Sequence, residues 1–389
     1  MSTIRRIGIL TGGGDVPGLN VAIKAVTMRA KEHGIEVLGL RRGWASLLNI
    51  DPADPATEAQ YTLALTPAVV QTIDRTGGTM LHSSRTNPSR VKVADVPEHV
   101  LARDRVTIAD GKVDCTAHAV RVIEHLGLDA IVPIGGDDTL SFAGRLHHEG
   151  VPAVAIPKTM DNDVFGTDYC IGFSTAITRS VDLITAFRTS LGSHERFGVV
   201  ELFGRNSGET SLIAAYLADA DRALIPEVPF DIERLVSLLV GDRAANPSNY
   251  AVMTISEGAH PTGGDTVESG EEDAYGHKKL GGIGSATALE IKRRTGVNIM
   301  FQQLGYVIRS GAPDSLDSMV AKSYGVLALE QVSSGHSGLM VGLQGGAYTT
   351  VALDEISGKT RCVDVAALYD APNYRPRIAE MMGKPMFLY

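Results

Sequence analysis

Cysteine is scarce in this chain: Cys115, Cys170 and Cys362 are the only three in 389 residues, and they lie far apart. That spacing excludes a disulfide framework and a CxxC metal site, and it suits a reducing compartment. Positive charge is also short, with 36 Lys and Arg against 45 Asp and Glu, a formal net charge of −9. Nucleic-acid binders draw their affinity from Lys and Arg that displace condensed counterions, so nucleic acid is excluded as a general partner. Any anionic ligand must be held by local positive charge. No apolar run reaches the ~18–20 residues that a membrane-spanning helix needs. The start MSTIRRIGILTGGGD runs directly into a strand-like segment. Neither membrane insertion nor export is expected, and the expected location is the cytoplasm. The histidines form no HExxH, and no GxSxG occurs, so neither a zinc-peptidase site nor a serine nucleophile is supported.

What the chain does have is the composition of a folded α/β enzyme: 44% hydrophobic residues, 21% charged residues and 42 glycines. The length allows a large core and points to two domains. Short buried-strand runs alternate with helix-period segments. RIGIL precedes a helix over 19–33, IEVLGL follows, and a helix over 117–126 leads into DAIVPI. A helix over 140–148 leads into PAVAIP. A second series runs FGVVELFG, helix 209–218, RALIPE, helix 232–240 and YAVMTISEG. Alternation of this kind predicts βαβ units and mostly parallel sheets. Residues 260–282 are glycine-rich and charged without apolar period, which predicts an exposed loop; helices over 285–295 and 315–333 follow.

Three loops carry chemistry. TGGGDVPGLN places Gly13 and Gly14 between a strand and a helix, where bare backbone N–H groups and a helix N-terminus can meet a phosphate; a tight packing turn explains the same glycines equally well. It is neither a Walker A loop nor a GxGxxG fingerprint. PIGGDDT brings a second glycine turn with Asp137, Asp138 and Thr139, and in an open sheet the two turns should face one crevice. Asp137 there could hold Mg²⁺ against phosphate oxygens, or simply cap the next helix. PKTMDND packs Lys158, Thr159, Asp161 and Asp163 into one loop, where carboxylates two apart can converge on one proton or one metal; a surface turn can use the same letters. In one crevice with the glycine loops, this is the best candidate for a catalytic base. Arg85, Arg196, Arg205 and Arg309 all stand beside glycines or strand ends, as guanidinium forks for phosphate would, although a single such arginine is more often solvated.

Read in order, GGGDVPGLN, GGDDT, PKTMDND, HER, FGRNSG, SEG and LGYVIRSGAPDSLD closely resemble the 6-phosphofructokinase family over nearly the whole chain. The resemblance implies two doubly wound, mostly parallel-sheet α/β domains with the active site in the cleft between them. The donor domain would hold residues 1–172 with about 308–358, and the sugar-phosphate domain 173–307 with about 359–389. It implies Mg²⁺-dependent transfer of a phosphoryl group to the 1-hydroxyl of fructose 6-phosphate. By motif match, Gly14 donates its N–H to the transferring group, Asp137 supports the metal and Asp161 takes the hydroxyl proton. Asp163 and Thr159 assist, and Arg205, after Phe203 and Gly204, stabilises developing charge. Glu257 accepts sugar hydroxyls, Arg309 and Tyr306 hold the sugar phosphate, Arg85 contacts donor phosphates, and Arg196 reaches over from a neighbouring subunit of a homodimer or homotetramer. Sedoheptulose 7-phosphate, longer by one hydroxymethylene, could occupy the same acceptor site.

Departures from the family pattern carry information. ATP-dependent relatives commonly read GGDGS and PGTIDND, where this chain has Asp138 and Lys158 in place of glycines. Both changes occur together in members that use inorganic pyrophosphate. The physics agrees: Asp138 would fill the space that the rest of ATP needs, and like charges ~4 Å apart at an effective dielectric of ~20 repel by about 4 kcal/mol. Lys158 would meet the terminal phosphate of pyrophosphate. Tyr306 replaces a histidine common in bacterial members, and an arginine found a few residues earlier in them has no equivalent in VNIMFQQLG. Where allosteric members carry two arginines a helical turn apart, this chain has Lys24 and Met28, so their nucleotide effector site is expected to be absent.

Overall fold

The β-branched runs become strands buried on both faces, as parallel strands between helix layers must be. All six residues of Ala130–Gly135 are buried, as are all but the first of Arg6–Thr11. A computed structural model describes residues 4–103, 107–109, 111–269, 279–378 and 382 of the chain. Its larger sheet has seven strands in the spatial order Ala347–Ala352, Leu339–Gln344, Val154–Pro157, Ala130–Gly135, Arg6–Thr11, Glu36–Leu40 and Thr62–Leu65. The five inner strands pair in parallel and the two outermost are antiparallel. From Arg6–Thr11 the chain builds outward on one side and then returns to add Ala130–Gly135 on the other. The crevice beyond the carboxyl ends of these two strands is therefore the switch point at which open α/β sheets bind ligands. A second sheet, parallel throughout, has the order Arg222–Leu224, Ala251–Ser256, Phe197–Leu202, Ile299–Gln303. After completing it, the chain goes back to the first sheet to lay down Leu339–Ala352. The α/β class expected from the alternation is the observed one. No helix among the described residues is long and apolar enough to cross a membrane.

Six of the expected helices appear within a few residues, as Leu19–Glu32, Thr116–His125, Glu209–Leu217, Ile232–Ala245, Ile283–Thr295 and Ser315–Ser333. The seventh begins three residues early: it is Asp137–His148, so both aspartates of GGDDT are helical. The expected loop over 260–282 is not wholly irregular, because Glu268–Ser269 pairs antiparallel with Lys279–Leu280; residues 270–278 of that loop lie outside the described ones. A two-pair ribbon has no period to read.

The long helix Phe173–His194, which packs on strands of the second sheet and on Ser315–Ser333, is not legible from periodicity. Thr175, Ile177, Thr178, Val181, Ile184, Thr185 and Thr189 lower its intrinsic helix preference, and Gly172 before it offers no side-chain cap. Its free N-terminal donors are instead met by another helix. Asp317, fully buried in the first turn of Ser315–Ser333, takes the Tyr169 hydroxyl and the Gly172 N–H on Oδ1, each at 2.8 Å. On Oδ2 it takes the Thr175 N–H at 2.8 Å and the Thr175 hydroxyl at 2.5 Å. Asp314 beside it accepts from Ser174 and Thr178. Burial pushes the Asp317 carboxyl up to about 6 against the pull of its four donors, so at neutral pH it is ionised and completes the helix start.

Asp317→Asn should therefore destabilise the protein by about 2–3 kcal/mol, because an amide N–H₂ would face a donor on one side whichever way it turned. Urea unfolding measures this. A loss below ~0.5 kcal/mol would mean that the clasp at the head of Phe173–His194 does not rest on the carboxylate.

Candidate active site

Three segments follow adjacent parallel strands of the larger sheet at their carboxyl ends: the loop Gly12–Gly14, Gly136 with the helical turn that runs on to Thr139, and the loop Lys158–Asp163. From the second sheet come Phe203–Asn206 and Glu257. All five meet around one cavity of about 600 Å³. Thr139 explains the glycines on two of the loops, since a Cβ on Gly12 would come within 2.4 Å of its hydroxyl and one on Gly135 within 2.3 Å of its Cβ. The threonine is a wedge that locks the first loop to the second. Gly14 answers to a different neighbour: a Cβ there would lie 2.5 Å from Nη1 of Arg309. At Gly13 a Cβ would lie 3.3 Å from Nζ of Lys158. Two cations thus press against the bare backbone of the glycine loop, which is the local positive charge that an acidic protein needs for an anionic ligand.

Asp137 is not the helix cap: that position belongs to Gly136, and both Asp137 and Asp138 occupy the first helical turn, at the positive end of its dipole. Burial, then the charges of Asp163 and Asp138, push the Asp137 carboxyl up to about 7, with Lys158 pulling the other way. Asp161 is pushed well above the usual carboxylate range by burial, then by Asp163 and Glu257; Lys158 and Arg309 oppose this. Its Oδ1 is buried without a hydrogen-bond partner, and its backbone N–H donates to Thr159 Oγ1 at 3.2 Å. Burial also raises Asp163, restrained by its own backbone hydrogen bond, Lys158, Asn206 and Arg361. Lys158 is lowered to about 8 by burial and by Arg309. Burial lowers Arg309 as well; it lies 3.6 Å from Asp15 and stacks 4.4 Å from the Tyr306 ring centre.

Of the residues singled out in the sequence, Gly13, Gly14, Arg85, Asp137, Asp138, Thr139, Lys158, Thr159, Asp161, Asp163, Phe203, Arg205, Glu257 and Arg309 all line this cavity. Three do not. Gly204 stands behind the wall with φ 134° and lets the loop turn; Tyr306 is 61% exposed and reaches the site only through its stack on Arg309. Arg196 follows the far end of Phe173–His194 and is not in the cavity wall of its own chain. Sequence reasoning missed Ser141, Asn206 and the turn Ser357–Thr360, which also line the cavity. Asn206 lies inside the quoted FGRNSG, whereas the turn carries no motif.

Comparison with known proteins agrees with this geometry. The phosphofructokinase family model matches residues 6–332. A pyrophosphate–fructose 6-phosphate 1-phosphotransferase of Dictyoglomus thermophilum is 38% identical, with 93% of this chain and 96% of the relative aligned. The chain belongs to the phosphofructokinase family. An ATP-dependent 6-phosphofructokinase 3 of Streptomyces coelicolor is also 38% identical, over 94% of this chain and 98% of its own length, so the relatives carry both donor names. Among solved structures, the pyrophosphate-dependent phosphofructokinase of Marinobacter aquaeolei shares the fold with a TM-score of 0.73 at 17% identity, covering 98% of this chain and 97% of that one.

In this phosphofructokinase the acidic residues fit Mg²⁺. No three His, Cys, Asp or Glu converge as a ready-made metal cage among the described residues. Mg²⁺ in phosphoryl-transfer sites is instead held through one or two carboxylates, water and the phosphates themselves. Asp137 suits that role, because it opens to the cavity from the first turn of its helix with the like charges of Asp163 and Asp138 close by.

A raised Asp161 sets the sign of two pH effects. If Asp161 is the base, it must be deprotonated to act, so kcat should fall with decreasing pH at a limb above the ~4 of an ordinary carboxyl. Its stabilising effect runs the other way: a raised carboxyl adds stability below its unfolded value and loses it as pH rises through the folded one. Asp161→Asn should therefore keep or raise Tm at pH 8 while kcat drops ~10²–10⁴-fold. The pH–rate profile and a thermal melt check this; a limb at pH 4, or kcat within a factor of a few of the parent, would remove Asp161 from the role.

Proposed function

We propose that the chain is a Mg²⁺-dependent, pyrophosphate-using phosphofructokinase. It would transfer a phosphoryl group to the 1-hydroxyl of fructose 6-phosphate, giving fructose 1,6-bisphosphate and phosphate. The observation that carries the donor reading is that Asp138 and Lys158, which stand where ATP-dependent relatives commonly have glycine, line one cavity wall, with the Lys158 ammonium against Gly13. Lys158 then meets the outer phosphate of a short donor, and Asp138 stands in the path of a longer one.

Phosphoryl transfer asks mainly for alignment and charge neutralisation. The N–H groups of Gly13 and Gly14 hold the group in flight, with Thr159 beside it. Asp161, its Oδ1 unpartnered, accepts the hydroxyl proton, and Asp163 orients the acceptor. Arg205 stabilises the developing charge, and Arg309, lying between the glycine loop and Tyr306, holds the sugar phosphate. Glu257 binds sugar hydroxyls, and Arg85 contacts donor phosphates. Bound Mg²⁺, held by Asp137, would shield the donor oxygens from the incoming nucleophile. Arg196, outside its own cavity, acts on a neighbour's sugar phosphate, which makes the working form a dimer or tetramer. Residues 1–172 with about 308–358 serve the donor, and the remainder serves the sugar.

Donor choice is tested by the ratio of kcat/KM for pyrophosphate and ATP in wild type, Asp138→Gly, Lys158→Gly and the double variant. Wild type should prefer pyrophosphate. Asp138→Gly should gain measurable ATP turnover with a smaller change for pyrophosphate, and Lys158→Gly should weaken pyrophosphate use directly. A wild-type preference for ATP, or an unchanged ratio in Asp138→Gly, would favour the ATP-dependent reading that the Streptomyces relative represents.

Regulation follows from the first helix. Lys24 Nζ is bound to Asp74 at 2.8 Å and to the Gln71 carbonyl at 2.7 Å, and Met28 is exposed, so this face lacks the arginine pair that holds effector phosphates. Nucleoside diphosphates and phosphoenolpyruvate should leave initial rates unchanged. A several-fold shift in apparent substrate affinity would reveal an effector site elsewhere.

A further inference from the structure

The loop that carries Asp161 and the loop that carries Arg205 belong to different sheets, and their separation decides whether base and cation act on one transferring group. We propose that Arg361 is the positioning residue that fixes these two loops to each other, through a strap formed by Arg361, Cys362 and Val363. The inference rests on the reading of Asp161 and Arg205 given above.

Consecutive strap residues hold both loops. On the first-sheet side, the Arg361 N–H donates to the Asp163 carbonyl at 2.8 Å, and its Nη1 donates to the Asn162 carbonyl at 2.9 Å. On the second-sheet side, the same guanidinium forms an ion pair with Glu209, which heads Glu209–Leu217 directly behind the Phe203–Gly208 loop. Cys362 donates to the Asn206 carbonyl at 3.5 Å. The Val363 N–H donates at 2.8 Å to Glu227, whose carboxylate also accepts the Gly208 N–H. Asn162 closes the junction: fully buried at φ 55°, it donates from Nδ2 to Glu209 Oε1 at 3.2 Å. Asparagine is among the few non-glycine residues that take this left-handed conformation readily, and here it frees the side chain to meet Glu209 and the Cys170 N–H. Arg361 is not in the cavity wall, so it acts on the reaction through what it holds. Glu209 is buried, so the pair cannot be cut on the arginine side without leaving a carboxylate uncompensated.

The test compares Arg361→Met, Arg361→Lys and Glu209→Gln in the full chain, with kcat and KM measured using whichever donor the wild type turns over. Hydrogen–deuterium exchange over 159–170, 203–209 and the strap is followed without ligands. A misplacement of about 1 Å is worth ~10²-fold in rate, so Arg361→Met should lose about that in kcat with KM for both substrates within about threefold. Arg361→Lys, which retains the ion pair, should recover about tenfold of the loss, and exchange in Arg361→Met should quicken in both loops together. The proposal is overturned by kcat within about threefold of the parent, by a lysine variant no better than methionine, or by faster exchange confined to the strap. If Arg361→Met does not fold, Glu209→Gln carries the same comparison: it should lower kcat and loosen both loops, and an unaltered Glu209→Gln overturns the assignment. If the wild type turns over neither donor, the functional reading has failed, and the exchange data alone decide whether the strap couples the loops.

Discussion

A buried ammonium among closely set carboxylates sets the terms for the rest of this protein. Lys158 is 5% exposed and faces Asp161, Asp163, Arg309 and the backbone of Gly13. Charges so far from water persist only when arranged against one another or against a bound ion, and here the carboxylates are left in part uncompensated. The raised Asp137 and Asp161 record that imbalance. A divalent cation beside Asp137 and a polyanion against Lys158, Arg309 and the bare N–H groups of the glycine loop would supply what is missing. The site is therefore an electrostatic frame completed by its ligands, which is the form that phosphoryl transfer requires.

Fold architecture serves that frame by bringing strand ends together. Thr139 could not lie against Gly12 and Gly135 if either carried a side chain, so the close approach of the first two loops depends on the sequence GG at each. The second sheet adds Arg205 and Glu257 from its own strand ends, and the late return of the chain through Leu339–Ala352 leads into the segment that reaches both halves. Asp317, at the head of another helix, anchors the long connecting helix with four hydrogen bonds.

Legibility in the sequence followed how local the signal was. Gly13, Gly14, Asp137, Lys158 and Asp161 sit on strand-to-loop junctions where a buried β-branched run ends abruptly in Gly, Asp or Lys, and such junctions can be read from a few adjacent letters. The helix Phe173–His194 escaped because its β-branched residues argue against helix locally, while Asp317, 142 residues from Thr175, supplies its cap. The strap escaped for the same reason: the importance of Arg361 lies in partners 198, 199 and 152 positions away, at Asp163, Asn162 and Glu209. Tyr306 and Arg196 mark the other limit, where a motif match names residues that one chain does not bring into the cavity by itself.

The two aspartates that follow Gly136 differ in what their presence asks of the fold. Asp137 opens to the cavity and is crowded by Asp163 and Asp138, so its charge is held at a cost that a metal would offset. Asp138 shares the first turn of the same helix, where the aligned peptide dipoles favour an acid by roughly 0.3–1 kcal/mol. A carboxylate at position 138 is thus tolerated by the helix whichever donor the enzyme uses, and exchanging it with glycine changes the space and charge met by the donor more than it changes the scaffold. Lys158 has no such freedom, because its ammonium is part of the balance that keeps Asp161 and Asp163 together. If position 138 sets the donor, as proposed above, it can vary with little effect on stability, whereas a change at position 158 would also disturb the loop that carries Asp161 and Asp163.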